Sequence, residues 1–234
     1  MLSSDPIGQA VHNFHFKRIN KPVTIYADGF DPDYVQPSYF FRSFEQMPQI
    51  EQLALQKARG HVLDVGACAG CHSIYLQNKG IEVTALERSA LCCGVLKDRN
   101  IQNVIHSDLY NLHSPTFDTI LLLMNGTGIA GTLHGFNNFL KHLKKLLKPD
   151  GQILIDSSDL IYLYMDEDGS ALVDLNSENY YGELVYQTEY NGQKGTEFPW
   201  LYLDPENLKE HAKQCGLKIE KGDHFDFLAT IKHA

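Results

Sequence analysis

From residue 45 onward the apolar positions of this chain switch repeatedly between two patterns. Short continuous apolar runs suit buried strands, and they alternate with stretches whose apolar residues recur three and four apart, as on a helix face. Ile50, Leu53, Ala54 and Ala58 form the first helical stripe, opened by Met47-Pro48 and ended by Gly60. His61 to Val65 reads as a strand, followed by a glycine-rich turn from Gly66 to Gly70 and a helix carrying Ile74 and Leu76 as far as Gly80. A second strand, Ile81 to Leu86, leads to a helix capped by Ser89, with Leu91 and Val95 on one side, and Asn103 to His106 is a third strand. Phe117 to Met124, with its continuous apolar run from Ile120, predicts a central strand. Leu133, Phe136, Leu140, Leu143 and Leu147 make a clear helical stripe, while Lys141, Lys144, Lys145 and Lys148 fall mostly on the solvated side. Pro149-Asp150-Gly151 reads as a turn before a fifth strand, Gln152 to Ile155. The alternation predicts a three-layer α/β domain around a mostly parallel, seven-stranded sheet.

Residues 159–203 interrupt this rhythm. They hold Trp200, the single tryptophan, and seven of the 12 tyrosines: Tyr162, Tyr164, Tyr180, Tyr181, Tyr186, Tyr190 and Tyr202. Asn191-Gly192 lies between two alternating segments and predicts a hairpin, because both residues tolerate positive φ. The segment is expected as an aromatic-rich insertion in a domain spanning 45–234, and with an N-terminal segment, 1–44, it is expected to cap the carboxyl ends of the strands. Asp204-Pro205-Glu206 starts a helix with Leu208, Ala212 and Cys215 inside, and Gly216 ends it. Leu217 to Glu220 and Phe225 to Ile231 then read as an antiparallel pair turning at Gly222-Asp223.

Charge narrows the range of partners. Asp and Glu number 29 against 20 Lys and Arg, a formal charge of -9, which disfavours nucleic acid and anionic membrane surfaces. Met1 to Val11 lack the pattern of a secretory leader, and the strongest apolar run, Ile120 to Met124, is far too short to span a bilayer. Five cysteines, with Cys92 and Cys93 adjacent, are not a disulfide framework; a reducing, cytoplasmic setting is expected. No metal site is predicted: Cys68 and Cys71 form a lone C-x-x-C with no second pair at ligand spacing.

The candidate chemistry lies in Val62-Leu63-Asp64-Val65-Gly66-Ala67-Cys68-Ala69-Gly70, a strand entering a tight turn that opens a helix. Glycine lets the backbone turn sharply and approach a ligand, and the helix start presents unpaired N–H groups. Glu87 stands at the end of the second strand, where an acid can hold two ribose hydroxyls, and Asp108 follows the third, where it could accept from an adenine amino group. The loop is a poor dinucleotide fingerprint, with Cys68 and Cys71 standing where the second and third glycines belong. Asp64, two residues before the first glycine, instead suits a cation or amine.

These pieces, together with Ser107-Asp108-Leu109, Phe117-Asp118-Thr119-Ile120-Leu121-Leu122 and Leu146-Leu147-Lys148-Pro149-Asp150-Gly151, resemble the class I S-adenosylmethionine-dependent methyltransferases over roughly residues 45–234. The resemblance implies a Rossmann-like methyltransferase fold with an antiparallel C-terminal strand, and S-adenosylmethionine as cofactor. It implies that Asp64 and the loop of Gly66, Ala67, Cys68 and Gly70 hold the methionine end. It places Glu87 on the ribose, Arg88 beside the adenine, Asp108 and the Leu109 N–H on the adenine edge, and Met124 and Asn125 near the sulfonium. Cys68 departs from the glycine common in the family and would crowd the cofactor. Arg42, in the aromatic stretch Tyr39-Phe40-Phe41-Arg42, is a candidate partner for the cofactor carboxylate.

Plainer readings of the same residues stay open: Asp64 bracing the loop, Glu87 as a solvated charge, Asp108 capping a turn, His72 as a packed core residue, and Arg42 at the surface. Asn125-Gly126-Thr127-Gly128 lacks the Asn-Pro-Pro-aromatic signature of enzymes that methylate planar amides or adenine amino groups. The function expected is methyl transfer to a small-molecule acceptor, with no catalytic residue assigned. The alternatives are a non-catalytic cofactor-binding module of the same fold and, disfavoured by the loop spacing, a nicotinamide oxidoreductase.

Overall fold

The computed structural model describes residues 5–165, 179–220 and 226–234. The chain begins with α1 (Pro6–Lys17), β1 (Val23–Ala27) and β2 (Asp33–Val35), then passes through two 3-10 turns, Pro37–Phe41 and Phe44–Gln46, to α2 (Gln49–Lys57). Next come β3 (Val62–Val65), α3 (Cys71–Asn78), β4 (Val83–Glu87), α4 (Ala90–Asp98), β5 (Asn103–His106), β6 (Phe117–Leu122), α5 (Leu133–Leu146) and β7 (Leu147–Ser158). After these follow β8 (Glu183–Tyr190), β9 (Gln193–Lys194), β10 (Phe198–Leu201), α6 (Pro205–Gln214), β11 (Leu217–Glu220) and β12 (Asp226–His233).

Seven strands make the main sheet in the order β11-β12-β7-β6-β3-β4-β5. From β7 to β5 all neighbours are parallel, and β12 lies antiparallel to both β7 and β11. This is the mostly parallel, Rossmann-like sheet with antiparallel C-terminal strands expected above. Crossover helices bury both faces of the parallel part, which is why β6 is apolar at Ile120, Leu121 and Leu122, all fully buried. On one side α5 adds Phe136, Phe139, Leu140 and Leu143 to the core; on the other, Ala54 and Leu55 of α2 meet Leu76, Leu121 and Leu154. Burying each large apolar side chain contributes about 1.5–3 kcal/mol, so the core sets the strand ends firmly.

The second sheet joins distant parts of the chain. Its order is β10-β8-β1-β2, with β9 on β8, and every pairing is antiparallel. The N-terminal β1 pairs with β8 from residues 159–203, with Ile25 opposite Thr188. Asn191 and Gly192 have φ of 53° and 75° and turn β8 into β9. The expected hairpin is therefore present, but its return strand is split, with Phe198 resuming the pairing opposite Tyr186.

Several local expectations need correction. The pattern gave no sign of α1, β1 or β2, which are short or weakly patterned. Leu53 points to solvent and Leu55 inward, because α2 turns Glu51, Ala54, Leu55 and Ala58 to the core. The stripe keeps helical spacing but carries a buried acid that hydrophobicity does not reveal. Pro149-Asp150-Gly151 is an irregularity inside β7, since Leu147 already pairs with Phe117 and the register shifts before Thr119 meets Gln152. The turn expected at Gly222-Asp223 lies outside the described residues. Among the described residues, no helix is long and apolar enough to cross a membrane.

Candidate functional site

The loop between β3 and α3 turns through three left-handed residues: Gly66 (φ 72°), Cys68 (φ 50°) and Gly70 (φ 82°). The Gly66 and Ala67 N–H groups both donate to the Leu86 carbonyl, at 2.9 and 3.2 Å, which pins the loop to the end of β4. The two glycines serve different ends. A Cβ on Gly70 would press on Leu96 at 2.7 Å, so glycine there lets α3 pack against α4. A Cβ on Gly66 would meet nothing within 4 Å and would enter open space. Cys68 adopts a conformation that glycine takes without cost. Its thiol is pushed well up by a hydrogen bond with Cys92 and by burial, so it stays protonated.

Asp64 is buried at the end of β3 and accepts the Ser73 hydroxyl of α3 at 2.6 Å. Glu87, at the end of β4, accepts from Cys68 N at 2.8 Å and Ser89 N at 2.7 Å. Burial raises the Glu87 carboxyl above its ordinary range against these backbone donors. The two acids thus flank the loop from adjacent strands. Arg88 is exposed, and its carbonyl lies 3.1 Å from His106 Nε2. Asp108 is exposed and caps the turn Leu109–Asn111 by accepting Tyr110 N at 2.9 Å, while Leu109 is buried.

Met124 and Asn125 follow β6 as consecutive left-handed residues, φ 66° and 60°. What holds them is Asp156 of β7, whose carboxylate accepts from Met124 N and Gly126 N, each at 3.0 Å. Burial pushes Asp156 up to about 6, opposed by these donors. The Asn125 side chain turns toward the second sheet: its amide donates to the Leu201 carbonyl at 3.2 Å and its oxygen accepts from Ser157 at 3.0 Å. Thr127 also donates to Leu201 O at 2.9 Å, and Ser157 accepts Leu203 N at 2.8 Å. Trp200 covers Gly128 so closely that a Cβ there would overlap the indole. Tyr186 stacks beside Trp200, and its hydroxyl lies 2.7 Å from that of Tyr202.

Arg42 is neither at the surface nor free. It is buried, ion-pairs with Glu51, donates to the Tyr39 carbonyl at 2.8 Å, and lies over the Tyr39 ring at 4.1 Å. Its buried Nε has no acceptor among the described residues. His72, in the first turn of α3, meets the same Glu51 oxygen at 2.6 Å. Burial opposes charge on His72, but Cys71, Glu51 and Asp64 push it up to about 10. Burial would raise Glu51, yet His72 and Arg42 bring it below the usual carboxylate range. The N-terminal segment, α2 and the start of α3 are therefore tied together by one buried acid between two cations.

The expected site residues fall into groups. Asp64, Gly66, Ala67, Cys68, Gly70 and Glu87 converge at the ends of β3 and β4. Met124 and Asn125 stand at the end of the neighbouring β6. Asp108 caps a turn and Arg88 faces solvent. Sequence reasoning missed Glu51, Asp156 and Ser73. Asp156 carries a detectable signal, an acid directly after the apolar run Ile153-Leu154-Ile155 at a strand's carboxyl end. Glu51 reads as an ordinary helix-surface acid until the fold buries it.

A family model described as a methyltransferase domain matches residues 63–155. Among solved structures, the chain is similar to an S-adenosylmethionine-dependent methyltransferase from Bacteroides fragilis in complex with S-adenosyl-L-homocysteine. The two share 40% identity over 98% of this chain and 95% of that one, with a TM-score of 0.90. The CcbJ methyltransferase of Streptomyces caelestis shares the fold at 15% identity, covering 82% of this chain and 99% of that one (TM-score 0.62). So does the sugar N-methyltransferase KedS8 of a Streptoalloteichus species, at 12% identity, over 83% and 88% of the two chains (TM-score 0.55). No curated protein matches the chain. The Bacteroides relative is bound to S-adenosyl-L-homocysteine. Fold, loop and relative agree: the chain belongs to the S-adenosylmethionine-dependent methyltransferases.

Proposed function

We propose that this methyltransferase acts on a small-molecule acceptor in a cleft at the carboxyl ends of β3, β4, β6 and β7, beneath the second sheet. In this reading the loop of Gly66, Ala67, Cys68 and Gly70, with Asp64, holds the methionine end of S-adenosylmethionine. Glu87 takes the ribose while bracing the loop through Cys68 N. Asp108 and the Leu109 N–H take the adenine edge, with Arg88 alongside, and Met124 and Asn125 stand beside the sulfur. Arg42 offers its buried Nε, without an acceptor among the described residues, to the cofactor carboxylate, and it shares Glu51 with His72.

The cofactor supplies a methyl group activated on a cationic sulfur, so the protein's part is to position the acceptor and exclude water. The second sheet is suited to that. Its β10 lies against the turn after β6 through Trp200 on Gly128 and the Leu201 carbonyl on Asn125 and Thr127. In this reading residues 1–44 and 159–203 act together as a lid. The net charge of -9 disfavours a nucleic-acid acceptor and supports a small one.

The observation that carries the cofactor assignment is Gly66, whose left-handed backbone opens onto free space at the end of β3. Calorimetric titration tests it: S-adenosylhomocysteine should bind, and binding should be lost in Glu87→Ala. Incubation with S-adenosylmethionine labelled in the methyl group should label compounds in a small-molecule extract. Label recovered only in protein or nucleic acid would refute the acceptor class.

A further inference from the structure

We propose that Asp5 is a positioning residue for the cofactor: through the Ser89 hydroxyl it fixes the backbone donor that holds Glu87 in line for the ribose. The proposal rests on the reading above, which gives Glu87 the ribose, and it extends the cofactor site to the start of α1.

Each link is a direct contact. Ser89 N donates to Glu87 Oε1 at 2.7 Å and Cys68 N to Oε2 at 2.8 Å, so a backbone donor on each oxygen sets the plane of the buried carboxylate. The Ser89 hydroxyl accepts Cys92 N at 3.1 Å, capping α4, and donates to Asp5 Oδ2 at 2.5 Å. Asp5 Oδ1 accepts Gly8 N at 2.8 Å, capping α1. The two helices therefore meet at their N-termini through one acid and one hydroxyl. Helix N-termini carry like partial charges, and a carboxylate bonded to both offsets their repulsion.

Gly8 permits this approach. A Cβ there would overlap Asp5 Oδ2 and stand 2.5 Å from Ser89 Oγ, so only glycine lets the start of α1 close on the start of α4. Further along, Val11 is fully buried with Ala69 of the loop and Cys92 and Val95 of α4. His15 Nε2 lies 2.6 Å from Asp98, at the far end of α4. On the other side of α1, Ala10 packs with Val23 and Tyr190 of the second sheet. The helix is thus clamped between the loop and that sheet, and Asp5 reaches Ser89 from a fixed base.

Position and charge act in opposite directions here. The Asp5 charge adds to the burial that raises the Glu87 carboxyl. Losing that charge alone would favour ionised Glu87, the stronger acceptor for ribose hydroxyls. A loss of affinity on removing Asp5 therefore reports position. Without Asp5 the Ser89 hydroxyl loses its acceptor, the start of α4 loosens, and Ser89 N no longer holds Glu87 Oε1 in place.

The test titrates the full chain calorimetrically with S-adenosylhomocysteine, then displaces that ligand with adenosine or with dideoxyadenosine, which lacks both ribose hydroxyls. The unaltered chain should prefer adenosine. Asp5→Ala should weaken S-adenosylhomocysteine and adenosine by about fivefold or more, the scale of one hydrogen bond, and leave dideoxyadenosine within about twofold. Gly8→Ala should do the same, although alanine favours a helix. Asp5→Asn should recover most of the loss, because its oxygen can cap Gly8 N and its amide nitrogen can reach Ser89 Oγ. A merely structural role would weaken both nucleosides alike, and that result would overturn the proposal. So would unchanged affinity in Asp5→Ala or Gly8→Ala, or an Asp5→Asn variant as weak as Asp5→Ala. Should Asp5→Ala fail to fold, Gly8→Ala decides with the same two nucleosides. If the unaltered chain prefers adenosine and the variants keep that preference in full, the proposal alone falls. If the unaltered chain binds S-adenosylhomocysteine but treats the nucleosides alike, the ribose role of Glu87 falls with it. If S-adenosylhomocysteine does not bind, the cofactor reading falls as well.

Discussion

Glu87 accepts the backbone N–H of Cys68 at 2.8 Å, so the acid at the end of β4 holds in place the loop at the end of β3. One carboxylate then has two tasks, shaping the loop and meeting the cofactor. Glu87→Ala removes both and strands two backbone donors, Cys68 N and Ser89 N. A hydrogen bond to a charged group contributes about 1.5–3 kcal/mol. Cofactor affinity should fall by about two orders of magnitude, and thermal unfolding should show a clear loss of stability. Glu87→Gln should recover part of the stability but less of the affinity. Calorimetry and thermal melts on both variants separate the two tasks.

Gly66→Ala tests the open space directly. The left-handed backbone costs a Cβ-bearing residue about 1–2 kcal/mol, and the methyl itself meets nothing within 4 Å in the protein. The variant should stay folded with that modest loss. Its affinity for S-adenosylhomocysteine should drop more than tenfold, because the added methyl occupies space assigned to the cofactor. Unchanged affinity would place the cofactor elsewhere.

The buried set Arg42, Glu51 and His72 gives the fold a pH dependence. His72 is pushed up to about 10 from an ordinary 6.5, a folded value above the unfolded one. Its contribution is therefore complete below about pH 6.5 and is lost as pH rises through about 10. The melting temperature should fall between pH 7 and 10, and His72→Gln should flatten that slope. Glu51→Ala leaves Arg42 buried without its counter-ion and should cost about 3–5 kcal/mol. A pH series of thermal melts checks both.

Gly128→Ala tests the contact between the sheets. The new methyl would overlap the Trp200 indole and force β10 away from the turn after β6. Overpacking of this kind costs about 1–3 kcal/mol. Acceptor KM should rise more than cofactor affinity falls, since Gly66 and Glu87 lie outside this turn and, of the residues assigned to the cofactor, only Asn125 within it loses its Leu201 contact. Steady-state kinetics with calorimetry on the variant reads out the difference.

Local rules were sufficient for much of the chain. Asn191-Gly192 turns a hairpin because both residues accept positive φ. Asp204 caps α6 through Glu206 N and Asn207 N, as a cap, a first-turn proline and an acid predict. Ser89 caps α4 by accepting Cys92 N. The strand–loop–helix run from Val62 to Gly70 and the acid at Glu87 were legible because their geometry is set by neighbours in sequence.

What the chain by itself determined is thus the order of strands and helices from α2 onward, the loop at the end of β3, and the family, all of which depend on periods and turns a few residues long. Only the tertiary structure decided that β1 pairs with β8, that Glu51 lies between Arg42 and His72, and that Asp156 supports Met124 and Gly126. The reason is physical: a polar side chain has no preference in sequence for burial, and it becomes a core or site residue only when folding brings its partner close enough to replace water.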